Sequence, residues 1–211
     1  MRRVTSDQKG FTIIELMIAT MVFSMVLMLC AAGLITIGRM YQKGNTSRAT
    51  QEVTRNAMDT IKNDFELSGG AYKALAPLSG SDIRVFCIGG TMYLYELNKP
   101  VPTDGSSAGL VQLRGPTGAY FCGLSAVIPG LTPIAALNAG GKELLGTNMR
   151  LMQDPITYAY PTATNAQSLQ IRINVVYGDD DLINGDLCRG GAGSEWCASS
   201  VLETYATRRL Q

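Results

Sequence analysis

From Leu16 to Gly38 the chain runs for 23 residues without a charged side chain, and one carboxylate, Glu15, stands at the head of that run. As a helix rising about 1.5 Å per residue the run reaches about 35 Å, enough to cross the ~30 Å hydrocarbon core of a bilayer. It therefore reads as a membrane-crossing helix. Glu15 sits near the cytoplasmic end of the span, where an unpaired carboxylate costs on the order of 2–3 kcal/mol, so it needs a partner. Ahead of it lie Arg2, Arg3 and Lys9 against Asp7, a basic leader that keeps this end in the cytoplasm.

Other targeting segments begin in a similar way. A secretory signal also has a basic start and an apolar core, and Cys30-Ala31-Ala32 suits small-residue cleavage. Such a core is only ~7–15 residues long, however, and excludes a carboxylate like Glu15. A lipoprotein signal centred on Cys30 would need a small residue where Leu29 stands. An ordinary single-span anchor accounts for the length of the run but not for Glu15.

Lys9-Gly10 followed by Phe11-Thr12-Ile13-Ile14-Glu15-Leu16-Met17-Ile18-Ala19 resembles the start of the type IV pilin family. The resemblance implies a leader, residues 1–10, cut by a prepilin peptidase after Gly10, and a new amino terminus at Phe11 that becomes N-methylated. It also implies that the Glu15 carboxylate pairs with the amine of a neighbouring subunit during assembly. Loss of the leader would take the formal net charge from +1 to −1. A charge so nearly balanced leaves no footprint for nucleic acid.

Beyond the apolar half of the helix, residues 11–38, an amphipathic half is expected over 39–68 and a globular β-rich domain over 69–211. Val53, Ala57, Ile61 and Phe65 recur every four residues, with Met58 beside them, and put one apolar stripe on a polar helix. Gly44-Asn45 is where a break is expected, since glycine costs about 1 kcal/mol inside a helix. Gly33 and Gly38 are sites of local melting in the pilin resemblance. Ser68-Gly69-Gly70 supplies the stop.

Strands are expected at 82–89, 91–97, 110–114, 119–124, 168–177 and 200–210, with Gly89-Gly90 as a hairpin turn between the first two. In the fifth, Leu169, Ile171, Ile173, Val175 and Tyr177 alternate with Gln170, Arg172 and Asn174, a sheet with one buried face on which the helix stripe can dock. The stretch 125–167 reads as loop with a short helix around 140–152. The fold class is thus α+β: a long N-terminal helix on an antiparallel sheet, as the pilin resemblance also implies. Size, the Ser68-Gly69-Gly70 break and the closing Glu203-Thr204-Tyr205-Ala206-Thr207-Arg208-Arg209 look most like PilW-type minor pilins and the larger pseudopilins.

Cys30 lies in the span, and the other four cysteines allow three pairings. Cys87 with Cys122, each in a short apolar run, and Cys188 with Cys197, closing a glycine-rich loop, is the favoured set. Each bridge would contribute roughly 2–4 kcal/mol. There is no histidine, no nucleophile elbow, and Gly140-Gly141-Lys142-Glu143 lacks the rest of a P-loop, so no catalytic set is marked and no cofactor is expected. Asp179, Asp180, Asp181 and Asp186 offer calcium-type oxygens without EF-hand spacing; a solvated turn is the competing reading. Tyr93, Tyr95 and Trp196 are either core or contact surface.

These features point to a structural subunit of a type IV pilus or related filament, a minor pilin in initiation, tip formation or adhesion. Its expected partners are other pilin subunits, the prepilin peptidase and the assembly platform. Before assembly it would cross the cytoplasmic membrane once with its C-terminal domain outside; afterwards it would lie in an extracellular pilus. A minor pseudopilin of a type II secretion system and a membrane-tethered binding or adhesin module are the alternatives.

Overall fold

In the computed structural model of the chain, residues 10–68, 72–77, 80, 82–160, 166–191 and 193–209 are described. The chain divides into two compact units, residues 1–41 and 42–211. One 55-residue helix, α1 (Ile13–Leu67), runs through both.

In the first unit every described side chain from Gly10 to Tyr41 is exposed. An 18-residue window there reaches a mean hydropathy of 2.4, long and apolar enough to cross a membrane. Gly33 and Gly38 are helical. So are Gly44 and Asn45, where the sequence predicts a break. The reason lies on either side of them. Lys43 Nζ donates to the Ser194 carbonyl at 2.9 Å and also to the Cys197 carbonyl, and Thr46 is buried. The ~1 kcal/mol cost of the glycine is offset by these contacts.

The buried stripe of the second unit begins earlier than the apolar pattern predicts. Thr46, Thr50 and Thr54 are buried, each hydroxyl donating to the carbonyl one turn back: Gln42 at 2.9 Å, Thr46 at 2.9 Å and Thr50 at 2.7 Å. Bonded this way, a hydroxyl enters the interior without an unsatisfied group. Ala57, Met58, Ile61 and Phe65 continue the stripe, with Val53 half-buried beside it. The helix closes at Leu67, where the Ser68 N–H donates to the Asp64 carbonyl at 3.0 Å. The cap expected at Gly69-Gly70 lies outside the described residues.

Two antiparallel sheets follow. The first has five strands in sequence order: β1 (Tyr72–Ala74), β2 (Ile83–Ile88), β3 (Thr91–Glu96), β4 (Leu110–Leu113) and β5 (Lys142–Glu143). β2 and β3 turn through Gly89-Gly90. Gly89 is required there twice over, by its φ of +62° and because a Cβ would come within 2.2 Å of the Ser68 Cβ. The second sheet is built on β8 (Ser168–Tyr177), with β11 (Ala198–Thr207) on one side and both β6 (Met149–Leu151) and β7 (Ile156–Tyr160) on the other. A two-stranded ribbon, β9 (Ile183–Asn184) and β10 (Leu187–Cys188), precedes β11.

Leu169, Ile171, Ile173 and Val175 of β8 pack with Ala57, Met58, Ile61 and Phe65 of α1 and with Phe86, Tyr93 and Tyr95 of the first sheet. The alternating strand thus docks the helix as its period requires. Asn174 departs from the pattern: it is buried on the opposite face, its amide 3.4 Å from Asp186. The other face of the first sheet, with Val85, Cys87, Leu94 and Val111, packs with Leu131, Ala136 and Phe121.

The last of these residues lies in a helix, α2 (Gly115–Gly123), where the sequence predicts a strand over 119–124. Pro116 in its first turn, after an extended Arg114, is a helix-start signal that outweighs the short apolar run. The helix expected around 140–152 is also displaced. It lies earlier, as α3 (Pro133–Asn138), capped by Thr132. Glu143 instead spends its carboxylate on the N–H groups of Gly109, Leu110 and Leu145 at 2.8, 3.0 and 2.9 Å, which fixes β5 beside β4.

Asp64 of α1 forms a polar lock with the first sheet. Asp64 accepts from the Tyr93 hydroxyl at 2.6 Å, from Gln112 Nε2 at 2.7 Å and from Arg114 Nη2 at 2.6 Å. Burial first, then the bond to this carboxylate, pushes the Tyr93 phenol well above its usual range and keeps it a donor. Asp64→Ala would strand the buried Tyr93 and Gln112 donors, so a loss of about 3 kcal/mol is expected, with Asp64→Asn losing less. Urea unfolding of the full chain in detergent checks this; an unchanged midpoint would remove the lock.

Candidate functional site

The candidate site is the start of α1. Gly10, Phe11 and Thr12 lie outside the helix, which begins at Ile13. Phe11 is 90% exposed.

Glu15 already has a partner within its own chain. Its Oε2 accepts from the Thr12 N–H at 2.9 Å and from the Thr12 hydroxyl at 2.8 Å, while the Glu15 N–H donates to Thr12 Oγ1 at 3.3 Å. This reciprocal arrangement is a capping box, Thr at the N-cap and Glu three residues on. The Thr-x-x-Glu spacing is visible in the sequence; reading Glu15 only as a charge in lipid passes over it. The box fixes where the helix starts.

The four distal cysteines form Cys87–Cys122, joining β2 to α2, and Cys188–Cys197, joining β10 to the residue before β11. Cys30 is a free thiol on the exposed apolar half of α1. The acidic run does not assemble a cation site. The Asp180 carboxylate pairs with the buried Arg150 guanidinium, Asp186 takes the Asn174 amide, and among the described residues no three carboxylates or thiols gather. Asp180 and Asp186 are drawn to different polar groups rather than to a common centre. Tyr93 and Tyr95 are buried, and Trp196 is half exposed in the turn inside the second disulfide.

The prokaryotic N-terminal methylation motif matches residues 5–31, ending just past Cys30. No curated protein and no solved structure matches the chain. The motif, the apolar helix behind it and the α+β architecture together support a type IV pilin-like protein.

Proposed function

We propose that the chain is a structural subunit of a type IV pilus or a related filament, acting as a minor pilin in filament initiation, at the tip or in adhesion. The observation that carries this reading is the placement of Glu15: a carboxylate at the head of a 23-residue uncharged run, five positions after the Gly10 of a methylation motif.

The prepilin peptidase cuts after Gly10, and Phe11 becomes the methylated amino terminus. The chain then waits in the cytoplasmic membrane with its C-terminal domain on the outer side, until the assembly platform passes it to other pilin subunits. On that transfer the helix leaves lipid for an equally apolar bundle of helices, so there is little gain in hydrophobic burial. Close packing and the pairing of Glu15 with a neighbour's amine drive the step.

Fractionation tests the proposal. In cells that carry the peptidase, a tagged chain should appear in the sheared-filament fraction at a small fraction of the main subunit. A fully processed chain that stays wholly in the membrane fraction while filaments form would contradict it.

A further inference from the structure

The outward face of the second sheet is divided. At one end Arg150 and Asn174 are held by Asp180 and Asp186 and are buried. At the other end, among the described residues, the face is uncovered and carries tyrosine. Tyr158 of β7 and Tyr205 of β11 flank Gln170 of β8 in register across three strands, two strand spacings or about 10 Å apart. Tyr160 stands on the same face two residues from Tyr158, the two rings lying 6.5 Å apart and 17° from parallel. The three tyrosines are 53%, 60% and 65% exposed in chain order. Gln170 Nε2 donates to Glu203 at 2.6 Å, and Arg172 sits opposite Glu203 in the register.

The make-up of this platform selects its occupant. A protein-binding patch has an apolar centre that is fully desolvated on contact. In rows 158–170–205 and 172–203 the rings are instead separated by amide, guanidinium and carboxylate groups that a protein partner would have to desolvate. The aliphatic side chain nearest them on this face, Val201, lies one row further on. The facing Arg172 and Glu203 balance each other, so neither an anionic nor a cationic partner is favoured. What remains is a flat set of aromatic rings, about a disaccharide apart, interleaved with amide, guanidinium and carboxylate groups. Rings stack on the C–H faces of a sugar, and the polar groups bond its hydroxyls.

We propose that this face binds a neutral glycan, with Tyr158, Tyr160 and Tyr205 as the stacking surface and Gln170, Arg172 and Glu203 as the hydroxyl partners. The proposal does not require filament assembly, so failure of the shear experiment leaves it standing. The test is calorimetric titration of the full chain, in a detergent without a sugar headgroup, with cellohexaose and with chitohexaose. At least one should bind, with little dependence on salt. Tyr158→Ala and Tyr205→Ala should each weaken binding by about tenfold, the scale of one aromatic contact. Tyr158→Phe and Tyr205→Phe, which keep the rings, should bind nearly as the parent does, and so should Tyr120→Ala, on an exposed tyrosine of α2. No binding of either probe at millimolar concentration would overturn the proposal, as would binding that the Ala variants leave unchanged. Self-association lost in the Ala variants, without sugar binding, would assign the face to subunit contact instead.

Discussion

Glu15→Ala is expected to leave cleavage after Gly10 intact and to lower the amount of chain recovered in sheared filaments by tenfold or more. Two unit charges 4 Å apart at an effective dielectric of about 20 attract by about 4 kcal/mol. If only a third of that survives desolvation, it corresponds to about a factor of ten. The capping box makes a sharper version of the experiment possible, because Ala removes both the charge and the cap. Glu15→Gln keeps a side chain suited to the capping position and removes only the charge. If pairing with a neighbour's amine is what Glu15 does, Gln should fail in filaments as Ala does. Thr12→Val is the converse. It should weaken the helix start by about 1 kcal/mol and still enter filaments. Filaments rescued by Gln would transfer the role of Glu15 from pairing to capping.

Replacement of Gly10 by leucine is the second large effect, and it is expected to be nearly all-or-none. A Cβ at Gly10 meets nothing within 4 Å, and Gly10 precedes the helix by three positions. Among the described residues the substitution meets no packed neighbour, so a change in processing is to be read as a change in recognition of residue 10. The chain should keep its ten leader residues and run as the longer species on a gel. Because the Phe11 amine is then never exposed, the same variant should be absent from filaments even with Glu15 in place. Normal processing of Gly10→Leu would detach the cleavage site from this residue.

The parts of the fold legible in the sequence are those where one local force dominates. The uncharged run, the Gly89-Gly90 hairpin and the alternation of Leu169, Ile171, Ile173 and Val175 each answer to a single periodicity or a single backbone demand. Less legible are the places where two forces compete. Thr46, Thr50 and Thr54 look polar, and only their bonds to the preceding turn let them be buried. The apolar residues of 119–124 suit a strand, yet Pro116 and the bridge from Cys122 to Cys87 hold them in a helix. Gly44-Asn45 looks like a break until Lys43 is seen to reach Ser194 across 151 positions of sequence, a contact no local pattern encodes. Asp180 reads as a cation ligand until the buried Arg150 is found beside it. At the candidate site the Thr-x-x-Glu spacing of Thr12 and Glu15 displays the capping box that starts the helix. The tyrosine face is hidden, because Tyr158 and Tyr205 are 47 residues apart and meet only through the register of β8.

The most direct measurement is the intact mass and amino-terminal sequence of the chain purified from membranes of cells that make the peptidase. A polypeptide beginning at Phe11 and carrying one added methyl group is predicted. A polypeptide that still begins at Met1, or one that begins beyond Ala32, would contradict it, since neither can offer a Phe11 amine to the Glu15 of another copy.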